Sequence, residues 1–347
     1  MKNAFVHSFQ IPDELNAKIP KEVIGKNRED VRLMVLNPDN EGSVHTQFNN
    51  ITQFVEKGDL LVFNNSRTIP AVLGARRGNQ ALELRLSRKT TECCWEGILL
   101  GGLYQIGDEL KFHKGLTGKI TGLGSEPPLV KIEFSLKGSE LIDHIYRIGQ
   151  PIRYEYIDSP WPLDSYQTAY ASVPGSVEMP SAGRAFSWGL MNKLKEKGVQ
   201  LAFLSLHAGL SYYGNDHWPT PTEHPEEYVI PAETAELINQ TKQENKRVIA
   251  VGTTVVRALE TVGLENEIMF PKKGITNLYI DQSFSLKVAD GLLTGFHEPE
   301  ASHLALLSAF VEEDKLLYAY REAIKLGYYW HEFGDMNLIL RGNKSED

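Results

Sequence analysis

Apolar and polar positions change rhythm twice along the chain. Arg32–Leu36 reads as a strand and Ile51–Glu56 as a short helix. Gly58-Asp59 then turns into Leu60–Phe63, an apolar run short enough for a buried strand. From about Ile69 to Gly149 short alternating stretches take over: Ala81–Leu86, Trp95–Leu100, Glu109–Phe112, Lys119–Leu123 and Val130–Phe134. Turns at Gly78, Gly101-Gly102, Gly107, Gly115 and Gly124 separate them. Alternation broken by a turn about every 8–12 residues predicts a small antiparallel β-barrel.

After Asp158 the rhythm becomes α/β. A helix is predicted over Trp188–Lys197, stopped by Gly198, with a strand over Val199–Leu206 behind it. Pro231–Asn239 reads as a helix whose early proline and acidic residues suit its first turn. Then follow strand Val248–Val251, helix Thr254–Val262, strand Asn277–Ile280, helix His303–Val311 and an amphipathic helix over Lys315–Leu326. Arg341–Asp347 is polar and expected to fray. There is no internal repeat or low-complexity tract.

Composition narrows the class. A length of 347 residues suggests about two domains, and 41% hydrophobic with 23% charged residues is ordinary globular usage, against disorder or a fibrous fold. No apolar run approaches the roughly 18–20 residues of a membrane span. The opening MKNAFVHSFQIPDEL lacks a basic segment followed by an apolar core, so no secretory signal is expected. The two cysteines, Cys93 and Cys94, are adjacent and cannot supply a four-ligand zinc site or a disulfide framework. A soluble cytoplasmic protein with reduced thiols is expected.

Charge separates the two regions. The formal net charge is −9, but residues 71–150 hold 11 Lys/Arg against 9 Asp/Glu. Arg76-Arg77, Arg85, Arg88-Lys89, Lys111 and Lys114 stand out there. A nucleic-acid face needs such local positive charge in an acidic protein, and on this reading Arg76, Arg77, Arg88 and Lys89 contact RNA phosphates. An ordinary solvated surface fits the same count.

The sharpest local signal is Arg247–Glu260, where a buried strand runs into Gly252, two threonines and a helix. Gly252 permits close approach, Thr253 or Thr254 can cap the helix, and first-turn N–H groups favour an anion. A capped strand–helix junction without a ligand fits as well. Arg257 can pair with a carboxylate of a ligand or of a surface acid. Asp164–Tyr170 and Pro174–Gly183 are polar, turn-rich loops in which Tyr166 could stack on a base and Gln167 hydrogen-bond it; a packed surface loop is the alternative. His207, His217, His224 and His297 cluster in the second half, and His207 follows a strand end, where proton transfer is often placed. Their spacings fit no zinc motif. No Walker loop or Gly-x-Gly-x-x-Gly follows a strand, which disfavours nucleotide hydrolysis and Rossmann-type hydride transfer.

Five segments, taken together and in order, resemble the S-adenosylmethionine:tRNA ribosyltransferase-isomerase family of queuosine synthesis. They are Gly58–Ala71, Tyr166–Ala171, Ala250–Glu260, Thr294–Pro299 and Gly334-Asp335, and they span nearly the whole chain. The resemblance implies an α/β main domain with a mixed sheet, residues 1–70 and 151–347, and a β-barrel inserted at 71–150. It implies transfer and isomerisation of the ribosyl part of S-adenosylmethionine onto a 7-aminomethyl-7-deazaguanine in a tRNA anticodon, giving epoxyqueuosine, adenine and methionine. The sulfonium acidifies the adjacent C5′ protons, so a positioned base can begin the chemistry with S-adenosylmethionine as co-substrate and no metal.

Carried onto this sequence, the resemblance implies catalytic roles for His207, Glu226 and His297, with His207 preferred as general base. It implies S-adenosylmethionine contacts from Ser181, Gly183, Gly252, Thr253, Thr254 and Arg257, and tRNA or base contacts from Asn64, Arg67, Tyr166 and Gln167. The expected partners are tRNA and S-adenosylmethionine, with no membrane, for a monomer. Three positions depart from the family pattern: Asn65 replaces an aspartate, Ala185 a histidine, and His207-Ala-Gly-Leu-Ser-Tyr-Tyr213 stands for His-x-Gly-x-Gly-Thr-Phe. An amide takes no proton and an alanine does no acid–base work. Two further readings therefore stand beside the first: a divergent paralogue that binds S-adenosylmethionine or a related nucleoside with another acceptor, and a non-catalytic RNA-binding module.

Overall fold

Leu60–Asn64 and Val248–Val251 contain no exposed residue, as expected of strands covered on both faces. In the computed structural model, which describes residues 8–37, 42–154, 156–214, 218–219, 221–265 and 268–341, they lie side by side in a nine-stranded sheet. Across the sheet the order is Lys272–Thr276, Glu226–Ile230, Gln200–Leu206, Leu60–Asn64, Val248–Val251, Gly291–Gly295, Met336–Leu340, Arg32–Leu36 and Ser43–Gln47. The middle four, Gln200–Leu206 through Gly291–Gly295, are mutually parallel, so their carboxyl ends emerge along one edge. The outer pairings are mostly antiparallel, which makes the sheet mixed.

Apolar clusters cover both faces. One contains Val255, Leu259 and Val262 of the helix Thr253–Gly263, and the other Leu190, Met191 and Leu194 of the helix Trp188–Glu196. Phe63 at the sheet centre meets Tyr170 and Phe186 edge-on, with centroids 5.1 and 4.9 Å apart. At the opposite edge Asp59, 1% exposed, accepts from Arg247 and from the Glu56 N–H, tying together the starts of two parallel strands.

The alternating region is a closed six-stranded antiparallel barrel, ordered Val130–Phe134, Cys94–Leu100, Gln80–Lys89, Val72–Arg77, Glu109–Phe112 and Thr117–Leu123. Leu73, Leu84, Leu110, Ile120 and Ile132, all fully buried, fill it. The predicted fold class, a mixed-sheet α/β unit with an inserted barrel, is the observed one.

Several elements differ from expectation. Asn277–Ile280 is not a strand: the strand is Lys272–Thr276, paired with Glu226–Ile230, while the Leu278 carbonyl accepts from Arg257. Leu278 and Ile280 alternate because they pack on the core from an irregular segment. The helix expected over His303–Val311 stops at Leu307, and Ile51–Glu56 is a 3-10 turn over Phe48–Gln53. Gly138–Ile148, inside the region read as strands, is a helix packing Leu141 and Ile145 on the barrel. Strands Ser43–Gln47, Glu226–Ile230, Gly291–Gly295 and Met336–Leu340 had no clear alternation to announce them.

Candidate functional site

The parallel strand ends deliver three turns to one place: Ala208–Ser211 after Leu206, Gly252–Thr254 after Val251, and Phe296–Glu298 after Gly295. Together with Glu178–Ala182, Tyr154, Tyr156, His331 and Glu332 they enclose a cavity of about 410 Å³. Its volume falls in the range of small-molecule sites, and its place is where open α/β sheets bind ligands.

One wall is built to receive an anion. Gly252 has φ +102°, a conformation open to glycine, and its carbonyl already accepts from Val255 and Val256. Thr253 and Thr254, whose N–H groups precede the helix's own hydrogen bonding, line the cavity. Arg257, one turn on, donates through Nε to the Leu278 carbonyl and through Nη1 to Glu226 Oε2. Its Nη2 is buried with no partner among the described residues. Glu226 Oε1 accepts from Gly209 N–H at 3.1 Å, so the carboxylate links two of the three turns.

A second group of lining residues is acidic. Tyr154 donates to Glu178 and Tyr156 to Glu332, while Glu332 Oε1 is buried with no partner among the described residues. Burial pushes Glu178 up to about 7 and also raises Glu332. Burial opposes ionisation of Glu298 as well, but His331 Nδ1 at 3.0 Å from its Oε1 outweighs that and holds it at about 2. His331 is raised because the same contact overcomes its own burial. Its ring stacks on Tyr156 at 4.2 Å.

His297 Nε2 lies 2.7 Å from Thr294 Oγ1 and its ring stacks on His303 at 4.7 Å. Burial, with His303 beside it, depresses His297 to about 3. It is therefore a neutral imidazole near pH 7, able to accept a proton.

Of the site residues expected from the sequence, Ser181, Glu226, Gly252, Thr253, Thr254, Arg257 and His297 line this cavity together; His224 lines it too. The others do not. His207 Nδ1 is 2.7 Å from Ser66 Oγ, and its ring lies against Gly175, where a Cβ would come within 2.6 Å. The strand end is where it was expected, but the side chain turns away from the cavity. Gly183 is packing: a Cβ there would come 1.9 Å from the Tyr170 hydroxyl. Asn64 spends its amide on Leu206 N–H and carbonyl, Ser66 N–H and Thr254 Oγ1.

Tyr166 is 4% exposed and packs on Phe333, and Gln167 pairs with both backbone groups of Thr68; neither is presented to a base. Arg67 is exposed, with its guanidinium 5.8 Å from the Tyr146 ring. On the barrel Arg77 pairs with Asp108, Arg88 with Glu96 and Lys89 with Glu92, so these three are not free cations; Arg76 is exposed. His217 lies outside the described residues. Cys93 and Cys94, both free, form with Glu133 a group of three metal-ligating side chains within 4.8 Å, none of which lines the cavity.

Sequence reasoning missed Glu178, Glu298, His303, His331 and Glu332. Glu298, beside His297 in Thr294–Pro299, and Glu178, inside the turn-rich loop Pro174–Gly183, each carried a signal. The departures Asn65 and Ala185 do not line the cavity: Asn65 accepts from Ser205 Oγ at 2.6 Å, and Ala185 is buried.

Comparison with known proteins gives one answer. The model of the family described as "Queuosine biosynthesis protein" matches residues 5–339. A protein from Carboxydothermus hydrogenoformans named S-adenosylmethionine:tRNA ribosyltransferase-isomerase is 37% identical, over 96% of this chain and 98% of its own. Its namesake from Thermotoga maritima is also 37% identical over the same shares. The crystal structure of the S-adenosylmethionine tRNA ribosyltransferase from Thermotoga maritima aligns over 96% of this chain and 99% of that one, at 31% identity with a TM-score of 0.54. Matched at this identity from end to end, the chain belongs to the queuosine biosynthesis family, among its transferase-isomerase enzymes.

Proposed function

We propose that this enzyme transfers and isomerises the ribosyl moiety of S-adenosylmethionine onto a 7-aminomethyl-7-deazaguanine in a tRNA anticodon, giving epoxyqueuosine, adenine and methionine. The observation that carries the reading is the dual polarity of the cavity lining. The methionine carboxylate goes to Thr253 and Thr254 N–H and to the unpartnered Arg257 Nη2. Ammonium groups, of the methionine or of the aminomethyl base, go to the wall of Glu178, Glu298 and Glu332. Gly252 and Ser181 line the same cavity and allow close approach of the donor.

His297 then replaces His207 as the general base. A neutral imidazole held by Thr294 accepts a C5′ proton that the sulfonium has acidified, and the rest of catalysis is positioning. Loss of an aspartate at 65 and a histidine at 185 touches none of these groups, whereas the third departure, His207–Tyr213, places Ala208–Tyr212 in the cavity lining, where an altered acceptor preference would be set. On the barrel, Arg76 stands opposite Lys111 in the strand register, a like-charged pair for which a phosphate is the natural partner. The chain is soluble and cytoplasmic on this reading, and acts on tRNA as a monomer.

The test is release of adenine from S-adenosylmethionine with and without tRNA carrying the aminomethyl base. Release that requires the modified tRNA is expected. Release with another acceptor would select the paralogue, and none at all the RNA-binding module.

A further inference from the structure

We propose that Arg88, a barrel residue, is a positioning residue for the donor cavity, acting through Glu226. The ladder between Gln80–Lys89 and Cys94–Leu100 shifts register between Leu86 and Arg88. This bulge buries Ser87 and aims Arg88 at the main sheet instead of at solvent. Arg88 Nε donates to Glu96 Oε2 at 2.8 Å, and its Nη1 donates to the Pro225 carbonyl at 3.3 Å. Glu96, 1% exposed, also accepts from the Ser125 N–H and hydroxyl, so it holds the guanidinium in one orientation.

The residue before Pro225 is fixed from the same side. His224 Nε2 lies 3.3 Å from Ser87 Oγ, and its Nδ1 lies 3.0 Å from the Tyr213 hydroxyl, which donates to Glu126. Barrel residues thus hold both residues that lead into Glu226. They also hold its other contact. Gly209, whose N–H donates to Glu226, sits where a Cβ would meet His224 Nε2 at 2.5 Å and the Ser87 carbonyl at 3.0 Å. Glu226 in turn orients Arg257, leaving Nη2 as the donor available to a ligand. The barrel therefore sets the anion-binding wall, and any shift of the barrel when RNA docks reaches the donor site through these contacts, with reciprocal effect on RNA affinity.

In one respect this rests on the reading above, that S-adenosylmethionine fills the cavity, so the experiment has a ligand-free arm. Arg88→Met combined with Glu96→Met replaces the buried pair by apolar side chains, which keeps the fold while releasing Pro225. In hydrogen exchange followed by mass spectrometry, peptides covering 207–214 and 224–230 should exchange about tenfold faster in this variant, with 248–256 unchanged. In calorimetric titration the same variant should bind S-adenosylmethionine about tenfold more weakly. Adding Glu226→Gln should cost no more than Glu226→Gln alone, because both act on one carboxylate.

Unchanged exchange at 207–214 and 224–230 would overturn the inference, as would losses of affinity that multiply in the combined variant. Faster exchange in a protein whose parent binds no S-adenosylmethionine would sink the reading of the ligand and support the positioning role. If the variant does not fold, Arg88→Lys keeps a cation for Glu96 but cannot also reach Pro225. The same two measurements on it then decide.

Discussion

The barrel and the cavity both gather charged side chains, and they treat them in opposite ways. On the barrel Arg77, Arg85, Arg88 and Lys89 each have a carboxylate within 2.8 Å. In the cavity Arg257 keeps one nitrogen, and Glu332 one oxygen, buried without a partner among the described residues. A buried polar atom left unpaired costs roughly 1–3 kcal/mol, a cost that a ligand in the cavity would relieve at Arg257 and Glu332. A count of basic residues in the sequence finds the barrel first, whereas Arg257 and Glu332, two buried ionisable side chains with an unpaired atom, line the cavity; other unpaired atoms, such as Trp95 Nε1 in the barrel, lie elsewhere.

The largest expected effect sharpens this contrast with two histidines. His297→Ala should lower turnover by about 10²–10⁴-fold, the usual contribution of a general base, and leave S-adenosylmethionine affinity within a few-fold. His207→Ala should stay within a few-fold of the parent in both. A large loss at His207 with none at His297 would return the base to the strand end outside the cavity.

Next comes the anion wall. Arg257→Lys keeps a charge but cannot serve Glu226, Leu278 and a carboxylate at once. Calorimetric titration should show S-adenosylmethionine binding weakened about 10–100-fold, at roughly 1.4 kcal/mol per decade. Wild-type affinity in this variant would detach the carboxylate from Arg257.

The acidic wall predicts a pH dependence of stability. Glu178 is raised to about 7, so its protonated form stabilises the fold. That contribution is complete below the ordinary carboxylate range and is lost as pH rises through about 7. Glu178→Gln should therefore raise Tm by about 2–4 °C at pH 8 and leave it nearly unchanged at pH 4.5. Equal shifts at both pH values would mean that Glu178 ionises normally. The smallest effect is on the barrel. Replacing Arg76 and Lys111 together by Ser should reduce the slope of log affinity for tRNA against log salt by about 1.5, at roughly 0.7–0.9 per phosphate contact. The same change at Arg77 and Lys89 should barely move it, because their charges are already paired.

What the sequence made legible follows the same division. Leu60–Phe63 and Val248–Val251 announced themselves because strands buried on both faces are continuous apolar runs. The barrel strands did so by alternation, and Gly252-Thr253-Thr254 by local turn chemistry. Each signal lies within a few consecutive residues. The acidic wall comes from Tyr154 and Tyr156, Glu178, Glu298, and His331 with Glu332, separate segments that only the return from the barrel and the last strand bring together. Glu178 and Glu298 stand in segments that drew notice by themselves, but Tyr154, Tyr156, His331 and Glu332 are not unusual in their own neighbourhoods. His207 misled for a related reason: its backbone position was legible, but the hydroxyl of Ser66 that turns its ring is 141 residues away in sequence.

The central claim is that the edge formed by the parallel strands holds S-adenosylmethionine by its two ends. A crystal structure of the enzyme with S-adenosylmethionine tests it most directly. The account predicts the methionine carboxylate within hydrogen-bonding distance of Thr253 and Thr254 N–H and of Arg257 Nη2, with C5′ facing His297. A ligand bound outside this cavity, or a carboxylate seated against Glu178 and Glu332 with His297 out of reach of C5′, would contradict it.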